Sequence, residues 1–244
     1  MNEVIKMLNE HTSIRKFNDN EITEEQIDLI INAAMRGATA GNMMYYSIIK
    51  IQSKDTLLKL SKSCDNQPFI ENASLALLFI VDNYKWDKYF EQRQIKQIFN
   101  DYEGPVISDF ILGMQDAMIA AQNAVIAAES LGIGTCYIGD IMENCEFHKK
   151  LFSLPKYTMP ATLIVMGNYD TKPQIRERFG KPFIVFDEAY PKINNDFIDD
   201  MFASNEKSNF KFAEKFYARK KDSPFSKELI RSIKYYLNDW FEKK

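Results

Sequence analysis

Leu131-Gly132-Ile133-Gly134-Thr135-Cys136-Tyr137-Ile138-Gly139-Asp140 is the stretch that decides the fold. It carries G-x-G, the opening of a dinucleotide-binding fingerprint, but lacks the third glycine at the required spacing. It also follows a helical pattern, whereas the fingerprint follows a strand. No G-x-x-x-x-G-K-[ST] occurs anywhere in the chain. A doubly wound nucleotide fold is therefore rejected, and the segment reads as a glycine-bounded strand leaving a helix.

Before it, Ile111, Met114, Met118, Ala121, Val125 and Ala128 recur on one face, predicting a long helix over 108–131. Ser108 is a candidate cap at its start, and Gly132 ends it. Asp116, Gln122, Asn123 and Glu129 interrupt the helix, against a membrane span. After the decisive stretch, a short helix over 145–152 ends at Leu154-Pro155, and 161–167 is an apolar strand ending in Gly167. Residues 73–82 form a second apolar run, which predicts a strand covered on both faces. Ser47–Ile51 reads as a further strand, followed by a helix over 54–62. Thr23 and Gln26 have capping-box spacing at the head of a helix striped by Ile27, Ile30, Ile31 and Ala34. Residues 84–102 read as a surface helix and loop.

The N-terminal stretch His11-Thr12-Ser13-Ile14-Arg15-Lys16-Phe17 gathers an imidazole, two hydroxyls and two cations. Hydroxyls and a forked guanidinium suit a polyanion. The same residues also fit a solvated polar helix end.

Of 244 residues, 45% are hydrophobic and 27% charged, and the net charge is −3. These values suit a soluble globular chain and offer no broad basic field for nucleic acid. No signal peptide and no uninterrupted apolar run of about 18 residues is seen, so neither export nor a membrane partner is expected. Cys64, Cys136 and Cys145 are an odd number without C-x-x-C spacing. They read as free thiols of a reducing cytoplasm. With His11 and His148 the only histidines, no metal site is expected.

Four segments resemble, in order, those of the FMN-dependent nitroreductase family and its NADPH-nitroreductase/flavin-reductase branch. They are His11-x-Ser13-x-Arg15-x-Phe17, Gly37–Asn42, Leu131–Gly139, and Arg176-Glu177-Arg178 after Gly167 and Pro173. Thr12 departs from the branch, which commonly has Arg there. Asp140 stands where the branch often has Gly, placing a carboxylate near the flavin or substrate mouth.

The resemblance implies an α+β fold: a mostly antiparallel central sheet packed by helices, in an intertwined homodimer with two FMN sites. It implies an FMN-binding domain over 1–190 and a C-terminal helical extension over 191–244 packing on the dimer partner. Two tail helices are predicted, about 194–217 and 226–243. The implied cofactor-binding set is His11, Thr12, Ser13, Arg15, Thr39, Gln67, Tyr137, Ile138, Gly139, Arg176 and Arg178. No side-chain acid or base is named, because the flavin carries the chemistry. The implied activity uses NADPH or NADH to reduce nitroaromatics, quinones or free flavin through flavin N5. The alternative is a flavin-binding storage or sensing protein. Arg219-Lys220-Lys221 is expected to form a basic loop between the tail helices that recruits the NADPH 2′-phosphate.

Overall fold

The computed structural model describes residues 2–203 and 210–242. The chain divides into two compact units. The first comprises 1–173 with 228–244, and the second comprises 174–227.

The first unit is built on a four-stranded sheet of order β1-β2-β4-β3. The strands are β1 (Tyr46–Ile51), β2 (Leu75–Asp82), β3 (Gly134–Ile138) and β4 (Thr158–Gly167). All three pairings are antiparallel. With its flanking helices this gives the α+β fold expected from the resemblance. Every residue of β2 and of β4 is buried, as a continuous apolar run requires when both faces are covered.

Leu75, Leu77, Phe79 and Val81 enter one core with α2 (Glu24–Met35) and α5 (Ile107–Ser130). Ala76, Leu78 and Ile80 enter the opposite core with α3 (Lys54–Ser63). A register shift lies opposite Phe79/Ile80. The shift keeps Met159, Ala161, Ile164 and Met166 of β4 in the first of these cores on either side of the irregularity.

α2 begins with the capping box foreseen at Thr23 and Gln26. At α5 the cap lies elsewhere than Ser108. Val106 is the N-cap, and its N–H donates to Asp109 Oδ2 at 2.9 Å. Charge near the helix dipole replaces a hydroxyl there. Gly132 does end α5, in the left-handed conformation (φ 76°) with open space around it.

By length and composition α5 could cross a membrane. Here Ala117, Ala120, Ala121, Ala124, Val125 and Ala128 are buried in the first core. Their small side chains allow the close approach of α2 and the sheet. The remaining helices of this part are α1 (Glu3–Asn9), α4 (Tyr84–Gln92) and α6 (Cys145–Leu151).

The predicted helix 194–217 corresponds to α7 (Asn195–Ala203) and α8 (Phe210–Lys221), while 204–209 lie outside the described residues. The second helix is α9 (Pro224–Phe241); Lys243 of its expected span lies outside the described residues. Tyr236 and Trp240 of α9 are buried in the chain's own first core. Trp240 meets Phe110 edge-on at 5.1 Å and Tyr157 at 5.7 Å between ring centroids. Arg231 forks onto Glu146 and Glu228 at 2.7–2.9 Å. The end of the tail thus packs within its own chain, because its apolar face completes the pocket left beside α5.

Candidate functional site

The segment after α1 runs across the ends of β3 and β4. Ile14 N–H donates to Thr135 O, and Asn18 N–H to Asn168 O, each at 2.8 Å. Two glycines make room for it. A Cβ on Gly134 would lie 2.8 Å from Ile14 Cβ, and one on Gly167 would lie 2.7 Å from Phe17 Cδ1. Gly134 therefore serves the docking of the N-terminal segment. Ile14 and Tyr169 fill the space beside it. Gly139 is exposed, and a Cβ there would meet nothing within 4 Å.

The docked segment holds its polar side chains in defined positions. His11 Nδ1 lies 2.6 Å from Glu129 Oε1. Because a carboxylate only accepts, Nδ1 carries the proton in this contact. Glu129 Oε1 also accepts from Thr135 Oγ1 at 3.2 Å. Thr12 lies between His11 and Ser13 in this segment, half-buried. The Arg15 guanidinium sits over the Phe69 ring, 6.0 Å from its centroid. Burial raises the Cys136 thiol on β3, while the Arg15 charge and a hydrogen bond from Ser13 oppose the rise. Ser13, Arg15, Cys136 and Phe69 are thereby one neighbourhood.

Phe69 follows Gln67, and Gln67 is pinned on three sides. Its Nε2 donates to Cys64 O at 3.0 Å, its N–H donates to Ser61 O at 2.9 Å, and its carbonyl accepts from Ser61 Oγ at 3.0 Å. Tyr137 donates its hydroxyl to Gln122 Oε1 at 3.1 Å. That hydroxyl is pushed up to about 12 by burial, with Glu129 adding to the shift. Ile138 is buried, and Gly139 opens a 3-10 helix, Gly139–Met142.

Thr39 belongs to a different set of contacts. Its Oγ1 accepts from Met44 N–H at 3.4 Å. The loop it opens has three positions in the left-handed region: Gly41 and Asn42 at φ 54° and 57°, and Met44 at 50°. Buried Asp116 of α5 holds this loop, its two oxygens accepting from Ala40 N–H at 2.9 Å and Tyr45 N–H at 3.1 Å. Trp86 Nε1 donates to Met43 O at 2.7 Å and ties α4 to the same loop. Arg176 and Arg178 lie in irregular, exposed chain of the second unit.

The sequence reading missed Asp116 as a holder of the loop, and Phe69, Cys136 and Glu129 as supports of the docked segment. Asp116 did leave a signal: a carboxylate inside an alanine-rich helical stripe needs buried donors. The others have no signal in sequence, because their partners are distant along the chain. Among the described residues no group of three or more His, Cys, Asp or Glu is placed to hold a metal ion.

A helix-flanked antiparallel sheet, with a cationic, hydroxyl-bearing segment laid over its strand ends, defines an α+β protein. The chain belongs to the nitroreductase family, whose model matches residues 8–168. It is 32% identical over 194 residues to "FMN reductase [NAD(P)H]" of Bacillus subtilis (strain 168), covering 78% of this chain and 75% of that protein. It is 27% identical over 250 residues to "FMN reductase (NADPH)" of the same organism, covering 100% and 98%. The structure of "NADPH:FMN oxidoreductase from Vibrio harveyi complexed with NAD+" superposes with a TM-score of 0.78 at 25% identity, covering 97% of each chain.

Proposed function

We propose that this chain is an FMN-dependent NAD(P)H oxidoreductase that reduces small electron acceptors such as nitroaromatics, quinones or free flavin. The observation that carries the reading is the neighbourhood of Ser13, Arg15 and Phe69 of the Gln67 turn around Cys136. The named relatives fit this reading.

The donor set suits FMN. Arg15 offers an exposed, always-charged fork for a phosphate, and Ser13 a hydroxyl. Gln67 presents an amide, which can both donate and accept at a polar ring edge. The exposed, unhindered main chain at Gly139 allows close approach of a flat ligand. His11, Thr12, Thr39, Tyr137 and Ile138 complete the proposed binding set in the first unit. Arg176 and Arg178 belong to the proposed set through the resemblance of their segment to the family's, and both are exposed.

When bound, FMN supplies the carrier that takes a hydride from reduced nicotinamide at N5 and delivers electrons to an acceptor in a ping-pong cycle. The chain's own task is to bind, orient and shield. Glu129 fixes the His11 ring, Asp116 fixes the Thr39 loop, and Gly134 and Gly167 let the N-terminal segment lie close on the sheet.

A homodimer is part of the proposal. Val4, Ile5 and Leu8 of α1 and Ile111, Met118 and Ile119 of α5 expose large apolar side chains in the single chain, and such patches mark association surfaces. A cytoplasmic location goes with free Cys64, Cys136 and Cys145.

The test is spectroscopic. The purified protein should be yellow, and NADPH or NADH should bleach it rapidly under anaerobic conditions. A nitroaromatic or quinone should then restore the colour. Yellow protein that bleaches only slowly with both nucleotides would make it a flavin-storage or sensing protein instead.

A further inference from the structure

The 3-10 helix Gly139–Met142 sets a carboxylate next to the exposed, unhindered main chain of Gly139. Asp140 is its second residue and is half-exposed. Ile141, the next residue, is fully buried with Cys64, Cys136 and Ile138, in the cluster against which Phe17 and Phe69 pack. Phe69 is the ring under the Arg15 guanidinium. Asp140 is therefore anchored among the elements that hold Ser13, Arg15 and Gln67.

Its charge reaches two thiols of that cluster. Burial raises the Cys64 thiol, and the Asp140 carboxylate is the next largest cause. Asp140 also adds to the rise at Cys136, where burial dominates and Arg15 and Ser13 oppose it. Glu143, one turn on, donates its N–H to Asp140 O at 3.0 Å and adds a second carboxyl. Among the described residues no lysine, arginine or histidine lies within salt-bridge distance of Asp140. A half-exposed carboxylate without a paired cation projects its field into the solvent and ligand space beside it.

We propose that Asp140 is a specificity-determining residue whose carboxylate disfavours anionic acceptors and favours neutral and cationic aromatic ones. The proposal rests on the flavin-oxidoreductase reading above. The neutral Gly139 main chain supplies the approach, and Asp140 supplies the sign of the charge that is tolerated there. Discrimination of this kind works by repulsion of the wrong ligand as much as by attraction of the right one.

The experiment uses purified, oxidised holoprotein: wild type, Asp140→Asn, and Asp140→Glu as the charge-preserving control. Flavin content is measured first by absorbance. Calorimetry then gives Kd for benzoate and benzamide, which differ in charge at nearly equal shape. Steady-state assays give kcat/KM for 4-nitrobenzoate, 4-nitrobenzamide and a nitrobenzyl-trimethylammonium ion.

Asp140→Asn should tighten benzoate and raise kcat/KM for the nitrobenzoate by roughly three- to tenfold, the scale of one partly screened charge. It should leave both amides within about twofold and lower the cation's kcat/KM, while Asp140→Glu should keep the wild-type ranking. Flavin-loaded proteins in which Asp140→Asn shifts anion, amide and cation alike, or shifts none, overturn the role of Asp140 alone. A wild-type protein that binds no flavin overturns the functional reading, and the proposal for Asp140 with it.

Discussion

The two units use aromatic residues in opposite ways. In the first, Trp240, Phe79 and Tyr236 are buried against a sheet and the alanine face of α5. In the second, Phe183 meets Phe197 at 5.4 Å, Phe179 meets Phe202 at 5.4 Å, and Phe212 stacks on Phe216 at 5.7 Å. Among its described residues, however, no hydrophobic side chain is buried. Phe210 keeps 80% of its surface exposed and Tyr217 65%, against 2% for Trp240. Ring contacts alone therefore do not make a core. A core needs a layer to pack against, and only the first unit has a sheet. The exposed rings of the second unit agree with the proposal that a second copy of the chain covers apolar surface.

The largest test of that contrast is a pair of truncations. Trp240→Ala should destabilise the protein by about 3–5 kcal/mol, the usual cost of emptying a large aromatic site. Tyr217→Ala, with no buried ring to lose, should change stability by less than about 0.5 kcal/mol in the single chain. Urea denaturation measures both. If the two cost the same in a protein shown to be monomeric, the contrast fails; if Tyr217→Ala is costly only in a dimer, the cover is a second copy.

Next is the polar anchor of the first unit. Asp116→Ala leaves the Ala40 and Tyr45 N–H groups without their acceptor, which should cost about 2–4 kcal/mol for two such groups. Amide exchange should quicken at these two positions before it does in β2. Unchanged exchange at Ala40 and Tyr45 would remove Asp116 from control of the loop.

A ligand-level contrast follows. Arg15→Ala should weaken FMN roughly tenfold to over a hundredfold, the value of one charged hydrogen bond of about 1.5–3 kcal/mol. The urea midpoint of the flavin-free protein should stay put, since Arg15 is exposed. Arg176→Ala and Arg178→Ala are the matching tests of the other two arginines in the proposed set. Stoichiometric FMN in dialysed Arg15→Ala protein would break the assignment.

Titration also separates the units. Buried Glu143 is raised from its ordinary 4.5 to about 7, chiefly by burial and then by Asp140, Asp65 and Glu228, and its Oε1 has no hydrogen-bond partner. The folded state therefore holds this proton more tightly than the unfolded chain does. The linked stability is present below about pH 4.5 and is lost as pH rises towards 7. Glu143→Gln should change little at pH 5 and should stabilise the protein at pH 8 by about 1–3 kcal/mol. An equal effect at both pH values would show that Glu143 is not the group. In the second unit, exposed Asp222 is lowered by its hydrogen bond to Lys227 and should contribute no comparable slope.

The smallest effect concerns nucleotide choice. Arg219, Lys220 and Lys221 were expected in a loop, but they form the last turn of α8, where cations favour the helix dipole. Replacing all three with Ala should lower kcat/KM for NADPH only a fewfold and spare NADH, since exposed contacts are worth about 0.2–1 kcal/mol. Added salt should narrow the gap between the nucleotides. Equal losses with both would leave these residues as a helix terminus only.

Much of the fold was legible because its signals are local. Thr23 and Gln26 lie three residues apart, and β2 declares its double burial in its own composition. The Val106 cap was hidden because it uses Asp109 rather than a capping residue of its own. The candidate site was legible only as residue types in order; Arg15 does lie over Phe69, two residues after Gln67. Thr39 could not be separated from them by reading, since its anchor, Asp116, lies 76 positions beyond its neighbour Ala40.

By itself, then, the sequence determined the elements, the glycine-bounded strand that excludes a doubly wound fold, and the candidates for anion binding. Those follow from periodicity and side-chain chemistry within a few residues. Only the tertiary structure decided that Gly134 and Gly167 yield their space to Ile14 and Phe17, and that Trp240 belongs to its own chain's core. It also set Asp140 and Arg15 near enough to Cys136 for both charges to act on that thiol. Each of these depends on which distant surfaces meet, and an apolar or charged face does not name its partner until packing has chosen one.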